Sequence, residues 1–486
     1  MFGEIEADDN HVLRYSLLYD FFQCFSDVTL YGLPIAQCLA PHFLVHIQSF
    51  VDYNRSDTAT INKLRIKHSF FTMGDITEKL VSIERIKPVT LKKSKTSLLL
   101  SDGYERFASE HLKEYDVTLY TTKYEKKLIQ STPRLSYYML QSEINAIRGN
   151  QKMRKQEAQL AEDLKKQLAK CSTHYYFKKK AFQTWLFATY KKSILWIYVL
   201  EKLILRAKPS LIVVSSEASI YGTVLSLLSK KYQITLVNIP LVAIGDRTLI
   251  PARANYYFAW GPFQKQWLLE RNIKENMIVE TGNLYFYYQQ AKPTCTKAMF
   301  YRTLNIPTNH RIITFTTQPL PQANRKIEQW VKNVSTLLPV TFIIKKHRSD
   351  RHDYSLIKDE KNVRILKSDY PLYTALHYSD CVMTVASTTG FEAVLLGKPL
   401  LILQPSIPYH HVLNSNDSMA FFVKTRAGER IKNDTQMKEV VKKIVASNEY
   451  VEELKERGRK FIEQTILTVD DAPLLVKKHI EDILSK

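Results

Sequence analysis

Short apolar runs alternate with helical segments through the second half of this 486-residue chain. The first series predicts strands at 211–214, 234–239 and 256–260, with helices at 219–228 and 263–271. The second series predicts strands at 312–315, 340–345, 363–366, 381–386 and 400–403, with helices at 325–334, 372–377 and 391–396. Apolar strands joined through helices are typical of parallel sheets that helices cover on both faces. We therefore predict an α/β chain with two Rossmann-like domains facing a cleft.

The length of the chain also requires more than one domain, since single hydrophobic cores stop growing at about 250–300 residues. We expect four parts, in chain order: an accessory N-terminal region (1–92), a first Rossmann-like domain (93–290) with a helical insertion at about 142–208, a second Rossmann-like domain (291–470) and a C-terminal helix (471–486).

The chain is strongly basic, with 69 Lys and Arg against 48 Asp and Glu, a net charge of +21. This excess favours anionic partners such as nucleic acid, a membrane surface or a phosphorylated substrate. Nucleic acid is disfavoured because the sequence contains no zinc-finger spacing, no RNP-like aromatic motif and no arginine-rich tail. A membrane surface or a phosphorylated ligand fits better.

The cysteine pattern and the N-terminal residues both favour a cytoplasmic location. The five cysteines show neither C-x-x-C pairing nor zinc-ligand spacing, which is typical of reduced thiols and implies no structural metal. The first residues, MFGEIEADDN, are acidic where a secretory signal is basic, and no uncharged stretch is long enough to cross a bilayer. We expect a cytoplasmic protein, with peripheral attachment to the inner face of the cell membrane as an option.

The membrane option depends on residues 174–208, where lysines alternate with aromatic residues. Basic side chains beside aromatic ones are common on helices that lie in a headgroup layer. The alternative is that the aromatic residues pack in the protein core. Both readings stay open at this level. The residues concerned are Lys178, Lys179, Lys180, Lys191 and Lys192, with Phe177, Phe182, Trp185, Phe187, Tyr190, Trp196 and Tyr198.

The stretch VASTTGFEAVLLGKPLLILQ, residues 385–404, has the composition of a strand, a turn of small residues, a helix and a second strand. Ser387, Thr388 or Thr389 can cap the helix, and Glu392 falls in its first turn. Backbone N–H groups at a helix start commonly hold phosphate oxygens. The turn Ser387–Gly390 is therefore a candidate phosphate cradle, and a plain helix cap is the structural alternative.

Other polar residues follow neighbouring strands of the second series. Gln318 and Pro319 follow one strand, and His347 and Arg348 follow the strand that ends at Lys345. Each could be an ordinary turn or surface residue. Because the carboxyl ends of parallel strands meet at one sheet edge, we expect these residues to share a crevice with the turn.

Three motifs resemble a known family: T-G-N at 281–283, K-x-H-R at 345–348, and S-T-T-G-x-E followed by G-K-P at 387–399. They look like the C-terminal half of GT-B glycosyltransferases. The likeness is to bacterial surface-polysaccharide and teichoic-acid polymer enzymes, including CDP-glycerol glycerophosphotransferases, and to UDP-N-acetylglucosamine 2-epimerases. It covers residues 209–465 best.

The resemblance implies that a nucleotide-sugar donor, UDP-linked or CMP/CDP-linked, binds mainly to the second domain, while the first takes the acceptor. Glu392 matches the acid that binds the ribose hydroxyls, and the residues around Thr388 to Gly390 match the pyrophosphate cradle. His347 and Arg348 match a K-x-H-P position in which Arg348 replaces proline. Gly282 and Asn283 match the interdomain segment near the donor.

One departure concerns the base. Members of the group often carry a His-Gly pair after the last strands of the first domain, but the corresponding stretch here, TLVNIPLVAIGDRTLIPA, has no histidine. Inverting glycosyl transfer needs a group that takes the acceptor proton. Glu217 and Asp246 are the remaining carboxylates in that part of the first domain.

We therefore expect a glycosyltransferase that moves a sugar onto a cell-surface glycan or its lipid-linked precursor. No D-x-D pair ends a predicted strand, so we expect no metal and no further cofactor. Helix N–H groups and Arg348 or Lys345 are then expected to neutralise the diphosphate of the donor. A glycerophosphotransferase or a 2-epimerase-like enzyme is the nearest alternative. A non-catalytic homologue acting as a binding partner is the other, because the histidine is missing.

Overall fold

The computed structural model describes residues 4–122, 132–289, 293–336, 338–407 and 421–486. The chain forms two compact bodies. The N-terminal body contains Glu4–Trp260, Gln264–Leu284 and Asp470–Lys486, and the C-terminal body contains Gly261–Phe263 and Tyr285–Val469. Each body is built on its own parallel sheet, which confirms the predicted fold class.

The N-terminal body begins with a short antiparallel pair, β1 (Thr29–Leu30) and β2 (Leu33–Pro34). Its main sheet has seven parallel strands in the order β5-β4-β3-β6-β7-β8-β9. These are β3 (Ser97–Ser101), β4 (Asp116–Thr121), β5 (Leu135–Met139), β6 (Leu211–Val214), β7 (Thr235–Asn238), β8 (Tyr256–Ala259) and β9 (Ile278–Glu280).

Helices precede this sheet and connect its strands. Those before it are α1 (Asp9–Cys24), α2 (Ile35–Cys38), α3 (Ala40–His46), α4 (Gln48–Asn54), α5 (Thr58–His68) and α6 (Met73–Ser82). Those within and after it are α7 (Glu105–His111), α8 (Leu140–Ile147), α9 (Gln151–Lys170), α10 (Lys180–Ala207), α11 (Ile220–Lys231), α12 (Asp246–Leu249) and α13 (Pro262–Leu269). The next helix, α14 (Leu284–Gln289), belongs to the C-terminal body from Tyr285 onwards.

The N-terminal helices share one hydrophobic core with the helices of the main sheet. Phe21 of α1 stacks on Phe43 of α3 with ring centroids 4.4 Å apart, and it meets Phe182 of α10 edge-on at 6.0 Å. Glu84 forms ion pairs with Lys230 and Arg253. The segment that we expected to be accessory is thus part of the N-terminal core, because α1 is buried on nearly its whole circumference.

In the lysine-rich stretch, residues 174–208, the structure separates buried aromatic side chains from exposed lysines. The sequence had left open whether the aromatic residues face a membrane or the core. Phe177, Phe182 and Tyr190 are buried in the aromatic core, with at most 2% of their surface exposed. The lysines at 178–180, 191 and 192 are exposed. Phe177, Phe182 and Tyr190 therefore serve packing, whereas the lysines and Tyr175 face solvent.

The C-terminal body contains a six-stranded parallel sheet in the order β12-β11-β10-β13-β14-β15. Its strands are β10 (Arg311–Thr316), β11 (Val340–Lys345), β12 (Val363–Leu366), β13 (Cys381–Thr384), β14 (Leu400–Leu403) and β15 (Glu429–Ile431). Its helices are α15 (Lys297–Thr303), α16 (Pro321–Ser335), α17 (Leu372–Tyr378), α18 (Thr389–Leu395), α19 (Asp434–Ala446) and α20 (Asn448–Thr465).

The last helix, α21 (Ala472–Ser485), belongs to the N-terminal body. Lys477 pairs with Glu114 at 2.5 Å, and the ring of His479 lies 6.1 Å from that of Phe258. The chain thus returns to the first sheet after completing the second.

The C-terminal sheet has the Rossmann strand order 3-2-1-4-5-6 when its strands are numbered within the body. Its strand order reverses between β10 and β13, which pair directly through Ile313–Cys381, Thr314–Val382 and Phe315–Met383. Ligands of such sheets bind beyond the carboxyl ends of the strands at this reversal. The residues that follow β10 and β13 therefore lie where a ligand of this sheet is expected to bind.

Candidate functional site

The segments that follow β10 and β13 are hydrogen-bonded to each other. The hydroxyls of Thr316 and Thr389 lie 2.7 Å apart. The backbone N–H of Ala386 donates to Gln318 Oε1 at 2.8 Å. Gln318 and the small-residue turn, placed together by sequence reasoning, are neighbours at the strand-order reversal of the sheet.

Helix α18 begins at Thr389, inside the turn Ser387–Gly390 and two residues before the predicted start at residue 391. The N–H of Thr389 donates to Ser387 Oγ at 3.2 Å, and the N–H of Gly390 donates to the Ser387 carbonyl at 2.9 Å. Thr388 precedes the helix without a side-chain capping bond. Of the three predicted cap residues, Ser387 accepts from the backbone of the turn through its side chain.

Gly390 is required here by packing. A Cβ atom at this position would lie 2.9 Å from the ring of Phe422 and 3.4 Å from Thr384 Cγ2. Any larger side chain would displace the aromatic ring and loosen the turn. The absence of a side chain at Gly390 thus allows the first turn of α18 to pack closely against Phe422 and Thr384.

Glu392 lies in the first turn of α18 and is only 2% exposed. The hydroxyl of Tyr373 donates to its Oε1 at 2.8 Å. Burial raises the pKa of Glu392 to about 7, and the Tyr373 hydrogen bond opposes part of this effect. Its charge in turn contributes, after burial, to raising the pKa of Tyr285 to about 12. Within the described residues Tyr373 is the one hydrogen-bond donor to this carboxylate, so it retains acceptor capacity for a ligand hydroxyl.

His347 and Arg348 occupy the exposed loop after β11. The N–H of His347 donates to Thr317 Oγ1 at 2.9 Å, which fixes the loop against the end of β10. The N–H of Ser349 donates to His347 Nδ1 at 3.0 Å, so the ring proton of a neutral imidazole is on Nε2. Both side chains are available at the same sheet edge as Gln318.

Asp350, which sequence reasoning did not select, organises these segments. It is 6% exposed and accepts from the Thr317 hydroxyl at 2.6 Å, Asn324 Nδ2 at 3.1 Å and the Tyr354 hydroxyl at 2.8 Å. Asn324 also donates to the Gln318 carbonyl at 2.7 Å. One buried carboxylate thus holds the Gln318 loop and the His347 loop together. The signal in the sequence was weak, since its partners are up to 33 residues away.

The contacts of Lys345 do not favour the predicted role of this side chain in binding phosphate. Its Nζ donates to the carbonyls of Lys346, Lys367 and Ser368 at 3.0–3.2 Å, so its three protons all have acceptors. Burial lowers the pKa of Lys345, while nearby Asp369 acts in the opposite direction. This geometry favours a structural role at the end of β11.

Gly282 and Asn283 follow β9 in the N-terminal body. Gly282 has φ of +76°, a left-handed conformation that favours glycine. Asn283 is fully buried. The geometry accounts for the glycine by backbone conformation, and the predicted donor contact of both residues stays a prediction.

Both candidate bases are engaged in the N-terminal body. Glu217 is fully buried and accepts from Asn238 Nδ2 at 3.0 Å and from the N–H of Arg253. Burial raises the pKa of Glu217 against the effect of these bonds. Asp246 is paired with the buried guanidinium of Arg271 at 2.9 and 3.2 Å. Such contacts are typical of structural carboxylates, and the catalytic roles stay predictions.

The two-sheet architecture matches that of solved sugar-nucleotide enzymes of the GT-B class. A Listeria monocytogenes protein described as a UDP-N-acetylglucosamine 2-epimerase superposes with a TM-score of 0.52 and 12% identity, over 80% of this chain and 98% of that one. S. aureus MnaA in complex with UDP gives 0.51 and 11%, over 80% and 97%. The Neisseria meningitidis UDP-GlcNAc 2-epimerase bound to UDP-GlcNAc gives 0.50 and 14%, over 80% and 100%. These similarities confirm the fold.

The family comparison concerns the part of the chain that contains the site. Residues 326–442 match the family of capsule polysaccharide biosynthesis proteins. The matched stretch contains the His347 loop, the Ser387–Gly390 turn and Glu392. The expected resemblance to surface-polysaccharide enzymes is confirmed. A comparison with curated protein sequences gave no match.

Proposed function

We propose that this protein is a glycosyltransferase of surface-polysaccharide biosynthesis that binds a nucleotide-sugar donor on its C-terminal body. The observation that carries the proposal is the cluster of Gln318, His347, the Ser387–Gly390 turn and Glu392 at the strand-order reversal of one Rossmann-type sheet. Clefts at such reversals are the usual place for nucleotides.

The chemistry of each group suits part of a nucleoside diphosphate. The Glu392 carboxylate accepts the two vicinal ribose hydroxyls. The small residues of the Ser387–Gly390 turn allow phosphate oxygens to approach the backbone N–H groups, and His347 Nε2–H and the Arg348 guanidinium supply further donors. Lys345 is left out of the phosphate contacts, because its protons are already used.

The resemblance and the matched family support the choice of donor and acceptor in this proposal. A UDP-linked or CMP/CDP-linked sugar is the proposed donor, and two of the similar structures contain UDP or UDP-GlcNAc. The proposed acceptor is a cell-surface glycan or its lipid-linked precursor at the cytoplasmic face of the membrane. No helix among the described residues is long and apolar enough to span a bilayer.

A second candidate is a non-catalytic homologue that binds the nucleotide without transferring the sugar. It is favoured by the contacts of Glu217 and Asp246, because a carboxylate held by a buried partner is poorly placed to take a proton from an acceptor. Both candidates share the nucleotide site and differ in turnover.

Calorimetric titration with UDP, CDP, CMP and purine nucleotides tests the shared site. We expect a pyrimidine nucleotide to bind the wild type, and Glu392→Gln to weaken it at least tenfold. Glu439→Gln, at an exposed position of α19 in the same body, is the matched control and should bind like the wild type. Absence of nucleotide binding in the wild type would refute the proposal. Release of free nucleotide from a sugar donor only when an acceptor glycan is present separates the transferase from the binding protein.

A further inference from the structure

Helices α3 and α4 form a continuous ridge on the N-terminal body, because Ile47 between them is itself helical. The inner side of the ridge is buried through Phe43, Ile47 and Val51. On the other side, Val45 is 68% exposed and Tyr53 is 86% exposed. Large apolar side chains thus protrude from the outer surface of the ridge.

The segment that precedes α10 lies against this ridge. The Phe50 ring is 6.2 Å from the ring of Tyr175 and 4.8 Å from that of Tyr176. Lys179 Nζ lies 5.6 Å from the centroid of the Phe50 ring. Tyr175 is 36% exposed. Basic and aromatic side chains from two distant parts of the sequence therefore meet around Phe50. We use the name basic–aromatic ridge for the exposed side chains of the two helices and of this adjoining segment, namely Val45, Tyr53, Tyr175, Lys178, Lys179 and Lys180.

The positive charges of the three ridge lysines are not paired with acidic side chains among the described residues. Lys178, Lys179 and Lys180 are exposed, and none of them forms an ion pair with another described residue. The nearby acids have local partners: Asp52 accepts from Gln48 at 2.9 Å, and Asp57 caps helix α5 through the N–H of Thr60 at 3.1 Å. The whole chain adds a net charge of +21.

We propose that the basic–aromatic ridge docks the protein on the anionic headgroup layer of a membrane. Protruding tyrosine and valine side chains beside lysines suit the interfacial region, where aromatic rings and cations both find partners. A protein partner would instead need a complementary patch of about 800 Å², and the ridge offers a few separate side chains. The proposal is independent of the nucleotide site. It keeps Lys178–Lys180 of the sequence-based hypothesis but replaces its aromatic residues, of which Phe177, Phe182 and Tyr190 are in the core, with Val45, Tyr53 and Tyr175.

Vesicle co-sedimentation of the full-length protein tests the ridge. The wild type should bind phosphatidylcholine vesicles that contain phosphatidylglycerol, should bind pure phosphatidylcholine much less, and should release as salt screens exposed charges beyond about 10 Å at 0.1 M. Replacing Lys178, Lys179 and Lys180 with Gln should weaken binding roughly a hundredfold, since each lysine near such a surface contributes about fivefold.

A charge-matched variant shows whether the ridge is specific. Replacement of Lys358, Lys361 and Lys442 with Gln removes the same charge from exposed positions of the C-terminal body, and it should leave binding within a fewfold of the wild type. Val45→Ser with Tyr53→Ser should weaken binding at every salt concentration without lowering the melting temperature, because both side chains are exposed. The proposal is overturned by equal losses in the two lysine variants, by equal binding to neutral vesicles, or by wild-type binding in both ridge variants.

Discussion

The change Glu392→Gln separates a structural carboxylate from a ligand-binding one through its pH dependence. Burial raises the pKa of Glu392 from an ordinary 4.5 to about 7. Between these values the folded protein keeps a proton that the unfolded chain has lost, so the stability of the wild type falls as pH rises from about 4.5 to about 7 and is level above that. At 1.36 kcal/mol per pKa unit, the loss is about 3 kcal/mol at most.

Glutamine has no such dependence, and its carbonyl can still accept from Tyr373. Relative to the wild type, the free energy of unfolding of Glu392→Gln should therefore increase from pH 5 to pH 8 by up to about 3 kcal/mol. A carboxylate in the first turn of a helix would, by itself, give the opposite sign and only about 0.3–1 kcal/mol. Urea unfolding of the wild type and of Glu392→Gln from pH 5 to pH 8 distinguishes the burial effect from the helix-dipole effect.

The exposed Glu439→Gln is the control for general effects of charge and should shift little with pH. A stability difference between the wild type and Glu392→Gln that is constant with pH would refute the assigned burial effect. So would a difference that grows towards acid.

Nucleotide affinity should change in the opposite direction. Ribose hydroxyls donate best to the ionised carboxylate, so the affinity of the wild type should rise with pH up to about 7 and then level off. Hydrogen bonds to a charged group contribute about 1.5–3 kcal/mol each. The deoxyribose analogue should lose affinity in the wild type and lose little more in Glu392→Gln, which closes a double-mutant cycle. Equal affinities of the two proteins for the ribose nucleotide would reduce the stretch to a structural cap.

Three further changes test the surrounding groups. Asp350→Asn turns an amide towards donors and should lower stability by about 1–3 kcal/mol and raise the nucleotide Kd, with Asp353→Asn on the exposed side of the same loop as control; unchanged Kd would refute its positioning role. Asp246→Asn removes the bidentate partner of the buried Arg271, which keeps only the Glu270 carboxylate at 3.3 Å, and should cost stability towards the lower end of about 3–5 kcal/mol while nucleotide affinity stays; a loss of turnover without a loss of stability would instead make Asp246 the base. EDTA should leave nucleotide affinity unchanged, and a hundredfold loss restored by manganese would contradict metal independence.

Local pattern was sufficient for most strands of the two series, but β15 was not predicted and the strand order of the sheets was not predicted either. Predicted strands 211–214, 340–345, 363–366 and 400–403 coincide with β6, β11, β12 and β14 to the residue. β6, β11 and β14 are buried along their whole length, so their sequences are mostly apolar, whereas the edge strand β12 is half-buried at Arg364 and Ile365. Neighbouring sequence therefore carries most of the information that defines them.

The role of the aromatic residues at 174–198 could not be read in the same way. Phe182 is a core residue because Phe21 and Phe43, well over a hundred positions earlier, pack against it. A membrane-facing helix and a core helix have the same spacing of aromatic side chains. The exposed apolar side chains come instead from Val45 and Tyr53, in a segment whose sequence gave no chemical signature.

The acidic residues show most clearly what could not be predicted from the sequence. Residue type and position after a strand selected Glu217, Asp246 and Glu392 equally well, and they passed over Asp350. Partners distant in sequence distinguish them: Arg271 neutralises Asp246, and Asp350 accepts several bonds that hold two loops together. The role of an acid is therefore a property of its tertiary neighbours.

Glu392 differs from Asp246 and Asp350 in that it has only one hydrogen-bond donor among the described residues to offset its burial. It is almost as buried as Asp350, yet one tyrosine hydroxyl is its only described donor, and its pKa rises to about 7. In the unliganded protein such a carboxylate lowers stability at neutral pH, and a glutamine of nearly the same shape would not. Groups that cost stability in this way concentrate at functional sites, because a ligand supplies the missing partners. Two ribose hydroxyls at Glu392 would do so, and the stability gained on nucleotide binding should then be larger at pH 8 than at pH 5.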